Sequence, residues 1–206
     1  MEKIETSLVE TIETTDINSI NKDLAEVVID SVLDDGLLKD IPIVNIIVGL
    51  GNFGSKIHKG IFIKKVLTFL SNLESTTIGE RQNFIQKIEK SETYNNKVGE
   101  ALIMILEKCS DLEKPKIIGK LFKASIKEEI DYQTFLRLCS LIERVHIPDL
   151  IHLKSIHNGQ NINSVIKDEL FRAGFLNRTE FGQVKVDGSN EYYINNYGKK
   201  FVELIL

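Results

Sequence analysis

Three glycines in residues 49–54 have the spacing of a phosphate-binding loop. The sequence Gly49-Leu50-Gly51-Asn52-Phe53-Gly54 fits the pattern G-x-G-x-x-G and follows the apolar run 43–48. In dinucleotide-binding folds such glycines let the backbone approach a pyrophosphate, which lies at the N-terminus of the next helix. The motif therefore predicts a nucleotide-binding segment, with these candidate residues: Gly49, Gly51, Gly54, Lys56 and Lys59.

The sequence around these glycines lacks the other parts of a dinucleotide-binding fold. Such a fold needs a second strand that ends in an acid about 20 residues beyond the glycines. Glu74 has a tolerable spacing, but the three residues before it are not those of a β-branched strand. Residues 77–153 have a helical pattern and supply no further strands for a parallel sheet. Nucleotide binding therefore stays an alternative.

A helix over residues 42–61, or a helix-like hairpin, accounts better for the same stretch. At about 100° per residue, its polar side chains fall within about 60° of one another. They are Asn45, Asn52, Lys56 and Lys59. Almost all the other residues are apolar, which favours a helix buried in a bundle. Binding to an anionic membrane surface is the alternative, because the apolar run 41–53 is too short to span a bilayer and lysines follow it.

No arrangement of His, Cys or Ser in this chain is typical of a catalytic or metal site. The four histidines lack the paired spacing of zinc ligands. They are His58, His146, His152 and His157. Cys109 and Cys139 lie among apolar helical residues, which favours buried thiols over nucleophiles. We therefore expect a protein that is not an enzyme and that binds neither a metal nor a cofactor.

The charge of the chain is unevenly distributed. The total of 26 Lys and Arg against 30 Asp and Glu gives a net charge of −4, which argues against a general nucleic-acid binder. Residues 1–35 carry two lysines and ten acids, whereas residues 36–66 carry five lysines and one acid. The N-terminus lacks the basic and then apolar pattern of a secretory signal, so we expect a cytoplasmic location, with peripheral membrane contact as an extension.

Capping residues and apolar periodicity predict a mainly α-helical fold. An acidic, flexible tail is expected over residues 1–20, followed by a helical bundle over 21–155 that contains the Gly-rich apolar helix 42–61. Helix starts are predicted at Asn21, Pro42, Thr77, Asn95 or Asn96, Pro115, Asp131 and Pro148. Thr77 and Glu80 have the spacing of a capping box.

The last 45 residues predict a small α+β module. A helix over 161–173 ends before Gly174, a hairpin pairs 184–186 with 192–194, and a last helix covers 197–206. This order resembles the second half of a winged-helix domain, over about residues 156–206. Tyr193, Ile194 and Gly198 match the pattern of that family, whereas Asn195 replaces its usual Thr.

The winged-helix resemblance implies a surface that binds DNA or a protein partner. Its candidate residues are Lys167, Arg172, Arg178 and Lys185. Residues 147–206 hold seven cations and seven acids. DNA affinity depends on phosphate contacts, which a neutral module can supply only sparsely, so a protein partner is favoured.

The whole chain is therefore expected to be a non-enzymatic interaction protein with a protein partner or self-association. The short apolar helix with trailing lysines suggests a bacterial accessory or phage-defence component whose helix meets a membrane. A DNA-binding regulator and a dinucleotide-binding module are the two alternatives.

Overall fold

Most of this chain is helical, as its caps and periodicity predict. The fold is given by a computed structural model, which describes residues 2–17, 20, 38, 40–50, 56–91, 97–179 and 192–206. The described residues form helices and one small antiparallel sheet near the C-terminal end. The predicted fold class, a helical bundle followed by a small α+β module, is thus confirmed.

Two compact units make up the chain, Met1–Ile130 and Asp131–Leu206. The sequence predicts the boundary at residue 155 instead. The helix of residues 132–144 packs against later helices of the second unit and belongs to that unit. Periodicity identifies an amphipathic helix, but it does not reveal which core the apolar face joins.

Six helices of the first unit lie in the described residues. They are α1 (Glu2–Thr14), α2 (Pro42–Gly49), α3 (Lys56–Ser71), α4 (Ile78–Glu89), α5 (Val98–Lys108) and α6 (Glu113–Ile126). Phe122 of α6 lies between Phe69 of α3 and Phe84 of α4, with ring centroids 5.5 and 5.4 Å away. Aromatic pairs at this separation stabilise a core beyond the effect of their buried area. Phe122 therefore joins three helices of the unit.

The prediction of a flexible acidic tail is wrong for residues 2–14, which form α1. Ile4, Leu8 and Ile12 recur every four residues and are all buried. This apolar stripe packs on α2, α4 and α5, while the acidic residues occupy the rest of the helix. The high acid content of the segment conceals a regular helical stripe.

The single helix predicted over residues 42–61 is also wrong, because two helices lie there. Pro42 begins α2 as predicted, but α2 ends at Gly49, and Leu50 has an extended backbone with φ −78° and ψ 105°. The next helix, α3, begins at Lys56. Glycines weaken a helix by up to about 1 kcal/mol each relative to Ala, which favours an interruption at this Gly-rich stretch.

The first helix of this pair is nevertheless buried, as the favoured interpretation predicts. Ile43, Val44 and Ile47 are inaccessible to solvent. The hydroxyl Oγ1 of Thr11 in α1 accepts a hydrogen bond from the backbone N–H of Ile43 at 3.0 Å. Ile41, the N-cap residue of α2, supplies no side-chain cap. A neighbouring helix therefore satisfies a donor that the first turn leaves free.

The predicted starts of the later helices agree with the structure in part. Thr77 and Glu80 form the predicted capping box, with the Glu80 amide 3.2 Å from Oγ1 of Thr77. Pro115 is the third residue of α6 rather than its first. Lys97 is the N-cap residue of α5 and makes no side-chain cap, while Asn95 and Asn96 lie outside the described residues.

The second unit contains four α-helices, one 3₁₀ turn and two strands in its described residues. They are α7 (Tyr132–Arg144), the 3₁₀ turn (Ile147–Leu150), α8 (Ile151–His157), α9 (Ser164–Ala173), β1 (Leu176–Arg178), β2 (Tyr192–Ile194) and α10 (Asn196–Ile205). Asp131 caps α7 as predicted, and its Oδ1 accepts from the Thr134 amide at 2.7 Å. Pro148 lies in the 3₁₀ turn that precedes α8, as predicted for the restart.

The two strands pair antiparallel, with Leu176 opposite Ile194, Asn177 opposite Tyr193 and Arg178 opposite Tyr192. The sequence predicts residues 184–186 as the partner of 192–194, whereas the described partner of β2 is β1, and we call this pair the hairpin. Residues 184–186 lie outside the described residues, as does the helix predicted over 21–33. Behind the sheet, the rings of Phe175 and Phe201 are 5.4 Å apart and fully buried. Asn195, the residue that replaces Thr, caps α10 through the Gly198 amide at 2.9 Å.

Candidate interaction site

The helix α9 is fixed at both ends by local capping. Oδ1 of Asn163 accepts from the Val165 amide at 2.9 Å, and Gly174 ends the helix in the left-handed region with φ 99°. Only glycine adopts that conformation at little cost, so the end of α9 is encoded in the sequence. Leu170 and Ala173 are buried and orient the opposite face to solvent.

The two candidate cations of α9 have polar partners within the unit. Nη1 of Arg172 lies 2.7 Å from Oε1 of Glu169, one turn earlier on the same helix. Nζ of Lys167 donates to Oδ1 of Asn161 at 3.0 Å. Both pairs are exposed and contribute little stability. In each pair, however, the cation already has a polar partner, which competes with a DNA phosphate for the same side chain.

The hairpin brings one more candidate cation close to α9. Arg178 is exposed and is the sheet partner of Tyr192. The ring of Phe171 in α9 lies 5.3 Å from the ring of Tyr192. Lys185, the fourth candidate, lies outside the described residues. Lys167, Arg172 and Arg178 therefore belong to one α9–hairpin region, together with aromatic groups that the sequence did not single out.

A hydrogen bond between Asp168 and Tyr192 joins α9 to the hairpin. The Tyr192 hydroxyl donates to Oδ1 of Asp168. This bond raises the pKa of Tyr192 above its usual value; burial and the charge of Asp168 act in the same direction. The two residues are 24 positions apart, and no local pattern indicates their contact.

Apolar side chains are exposed in this region alongside the charged ones. Val165 is 63% exposed, Tyr193 50% and Phe171 36%. We call Val165, Phe171, Arg172 and Arg178 the α9–hairpin surface; Tyr193 points to the opposite face of the sheet from Tyr192, which contacts α9. Aromatic side chains and Arg are enriched in protein–protein interfaces, while large apolar side chains are usually buried. The composition of the surface therefore resembles an interface core more than a phosphate-binding surface.

The residues before the Gly-rich segment do not form the strand that a phosphate loop needs. The run expected to be its first strand is the helix α2, and a Cβ added at Gly49 would have no neighbour within 4 Å. Lys59 donates from Nζ to the carbonyl oxygen of Leu50, just after α2. Gly51 and Gly54 lie outside the described residues, and Lys56 begins α3. The dinucleotide-binding interpretation is therefore abandoned, because its strand–loop–helix context is missing.

Two further classes of site can be assessed across the described residues. There, no group of three or more His, Cys, Asp or Glu residues is arranged to hold a metal ion. None of the helices in those residues is long and apolar enough to cross a membrane. Comparisons of the chain with models of known protein families, with curated protein sequences and with solved structures found no match.

Proposed function

We propose that this chain is a non-enzymatic interaction protein whose second unit binds a protein partner through the α9–hairpin surface. The observation that carries the proposal is the composition of this surface. Its apolar members, Val165 and Phe171, are exposed, whereas the cation of Arg172 is paired with Glu169. A partner that buries the apolar side chains would gain the hydrophobic contribution that such interfaces need.

The order of elements in the second unit supports a winged-helix-like arrangement. Three helices, α7 to α9, are followed by the strands β1 and β2 and then by α10. This order extends the resemblance back to Asp131, where the second unit begins. The resemblance implies that α9 is the recognition helix, and its Phe171 ring lies 5.3 Å from the Tyr192 ring of β2. The same surface can serve a protein partner when its charge is balanced.

Substitutions on the surface test the proposal. Phe171→Asp combined with Val165→Asp should abolish co-purification of the partner with the tagged full-length chain, because both side chains are exposed on α9. Ile151→Asp is the matched control, since Ile151 is 66% exposed on α8 of the same unit. Circular dichroism should confirm that both variants are folded. Unchanged partner recovery with the double variant would contradict the proposal.

DNA binding by the same surface is the second candidate, favoured by Lys167 on α9 and Arg178 on β1. A gel shift at low salt distinguishes the two functions. Under the protein-partner proposal, duplex DNA should be retarded weakly or not at all. Tight retardation that is lost in Lys167→Glu combined with Arg178→Glu would support the DNA-binding regulator instead, because phosphate contacts dominate DNA affinity.

A further inference from the structure

The helix α3 has an unusual charge for an acidic protein. Its 16 residues include four lysines and no Asp or Glu, while the whole chain has a net charge of −4. The four are Lys56, Lys59, Lys64 and Lys65. This concentration of positive charge lies in the first unit, whereas the residues used in the proposed function belong to the second unit.

Two isoleucines of this basic helix are exposed on its solvent face. Ile57 is 63% exposed, and Ile61, one turn later, is 39% exposed. The opposite face carries Phe62, Val66 and Phe69, all buried in the unit. At about 100° per residue, Lys64 and Lys65 lie on either side of the line through the two isoleucines. We call Ile57, Ile61, Lys64 and Lys65 the α3 surface.

The charges of Lys59, Lys64 and Lys65 are not neutralised by any carboxylate of the described residues and can attract an anionic partner. Nζ of Lys65 lies 3.3 Å from the carbonyl oxygen of Glu107, and Lys59 donates to the carbonyl oxygen of Leu50. In the part of the chain that the structure describes, Lys59, Lys64 and Lys65 form no ion pair with a carboxylate. Carbonyl contacts orient these side chains without cancelling their charge.

We infer that the α3 surface binds an anionic lipid bilayer surface, with Ile57 and Ile61 entering the interface and the lysines contacting lipid phosphates. An apolar centre with flanking cations offers the two contributions to interfacial binding, burial of apolar side chains and attraction to anionic lipid. The exposed residues favour lipid over an acidic protein, because Lys is depleted in protein interfaces and the α3 surface has no aromatic residue or Arg. The long aliphatic stems of lysine let the ammonium reach headgroups while the isoleucines go deeper.

Vesicle co-sedimentation of the full-length chain tests this inference. Binding should be seen with phosphatidylserine-containing vesicles at low salt, weaken at high salt, and be much lower with pure phosphatidylcholine. Ile57→Asp combined with Ile61→Asp should reduce the partition coefficient by about tenfold or more. Lys64→Glu combined with Lys65→Glu should reduce it by a similar factor.

Matched control variants distinguish an effect at the α3 surface from a general effect of the added negative charge. Ile78→Asp combined with Ile151→Asp adds the same two charges at isoleucines that are 43% and 66% exposed. Lys199→Glu combined with Lys200→Glu reverses two exposed lysines of α10. Both controls should keep most of the binding. The inference is overturned if the wild-type chain ignores anionic vesicles, if the controls lose as much binding as the α3 variants, or if only an acidic polypeptide such as polyglutamate binds α3.

Discussion

Arg81 is buried in the first unit, where its guanidinium joins two segments of the chain through hydrogen bonds. The residue is 2% exposed, and its Nε and Nη2 donate to the carbonyl oxygens of Ile12 and Thr15, at 2.5 and 2.9 Å. Nη1 donates to the carbonyl oxygen of Thr76 at 3.0 Å. Burial lowers the pKa of Arg81, while Asp16 and Glu80 act against that change. The guanidinium thus satisfies carbonyls at the end of α1 and fixes that end beside the start of α4.

Replacing Arg81 by Ala should lower the free energy of unfolding by about 2–4 kcal/mol, because it leaves buried carbonyls unpaired and opens a cavity. Arg81→Lys should recover only part of this loss, since an ammonium lacks the planar fork that reaches two segments at once. Urea denaturation followed by circular dichroism measures both effects. Lys116→Ala, on an exposed lysine of α6, is the control and should leave the midpoint almost unchanged. Equal losses in the two Ala variants would contradict this role.

The hydrogen bond from Tyr192 to Asp168 contributes to the stability of the second unit, and this contribution depends on pH. Because this bond raises the folded-state pKa of Tyr192, its contribution is fully present below the unfolded pKa of about 10. It is lost as the pH rises through the folded-state pKa. Asp168→Ala should therefore lower the pKa of Tyr192, as measured by NMR of ring-labelled tyrosine. Glu203→Ala is the control, and an equal shift there would refute the assignment.

Neither Arg81 nor the Asp168–Tyr192 pair could be predicted from the sequence. Arg81 donates to the carbonyl oxygens of Ile12 and Thr15, which are 69 and 66 positions away in the sequence. Asp168 and Tyr192 are 24 positions apart. Arginine and tyrosine at helix and strand positions usually lie at the surface, so residue type gives no signal. Lys167 and Arg172 were predictable as candidates because they depend only on the position of α9, whereas Arg178 lies on β1, a strand that the sequence did not predict.

At the level of elements, local signals predict helix ends well and helix continuity poorly. The caps at Thr77, Asp131 and Gly174 were predictable, because each depends on a residue within three positions of the group that it satisfies. The break between α2 and α3 was not, because an apolar, Gly-rich run allows a strand, a helix or two helices. Tertiary contacts decide between them, and here Thr11 of another helix helps to define the start of α2.

Two glycines allow helices of the first unit to approach closely. A Cβ at Gly99 of α5 would lie 2.5 Å from the carbonyl oxygen of Glu5 in α1, and one at Gly119 of α6 would lie 2.5 Å from that of Phe69 in α3. Gly99→Ala and Gly119→Ala should each destabilise the protein by about 1–3 kcal/mol, since backbone must move to accept the methyl group. Thermal or urea unfolding measures the loss.

Gly79 supplies the matched control for these two substitutions. It lies in the first turn of α4, and a Cβ there would have no neighbour within 4 Å. Gly79→Ala should leave stability unchanged or raise it by up to about 1 kcal/mol, because Ala loses less conformational entropy in a helix. If Gly99→Ala were as well tolerated as Gly79→Ala, the close approach of α1 and α5 would be contradicted.

At the scale of the whole molecule, each unit has its own buried core. In Asp131–Leu206, fully buried residues come from all four described α-helices and from the segment before β1; they include Phe135, Leu153, Leu170, Phe175 and Phe201. A core of this size in fewer than about 80 residues supports only about 3–5 kcal/mol of stability. The second unit should therefore be able to fold alone, but with little reserve.

A fragment of residues 131–206 is expected to unfold cooperatively in urea and to give a dispersed amide NMR spectrum. Phe201→Ala should unfold this fragment, because removing a fully buried ring costs about 3–5 kcal/mol, as much as the whole stability expected. Tyr193→Ala should leave the fragment folded, since that ring is half exposed. A fragment without a cooperative transition, or one that tolerates Phe201→Ala, would contradict a self-sufficient second core. A folded fragment would also allow the α9–hairpin surface to be tested without the basic helix α3, so that binding by the two surfaces could be separated.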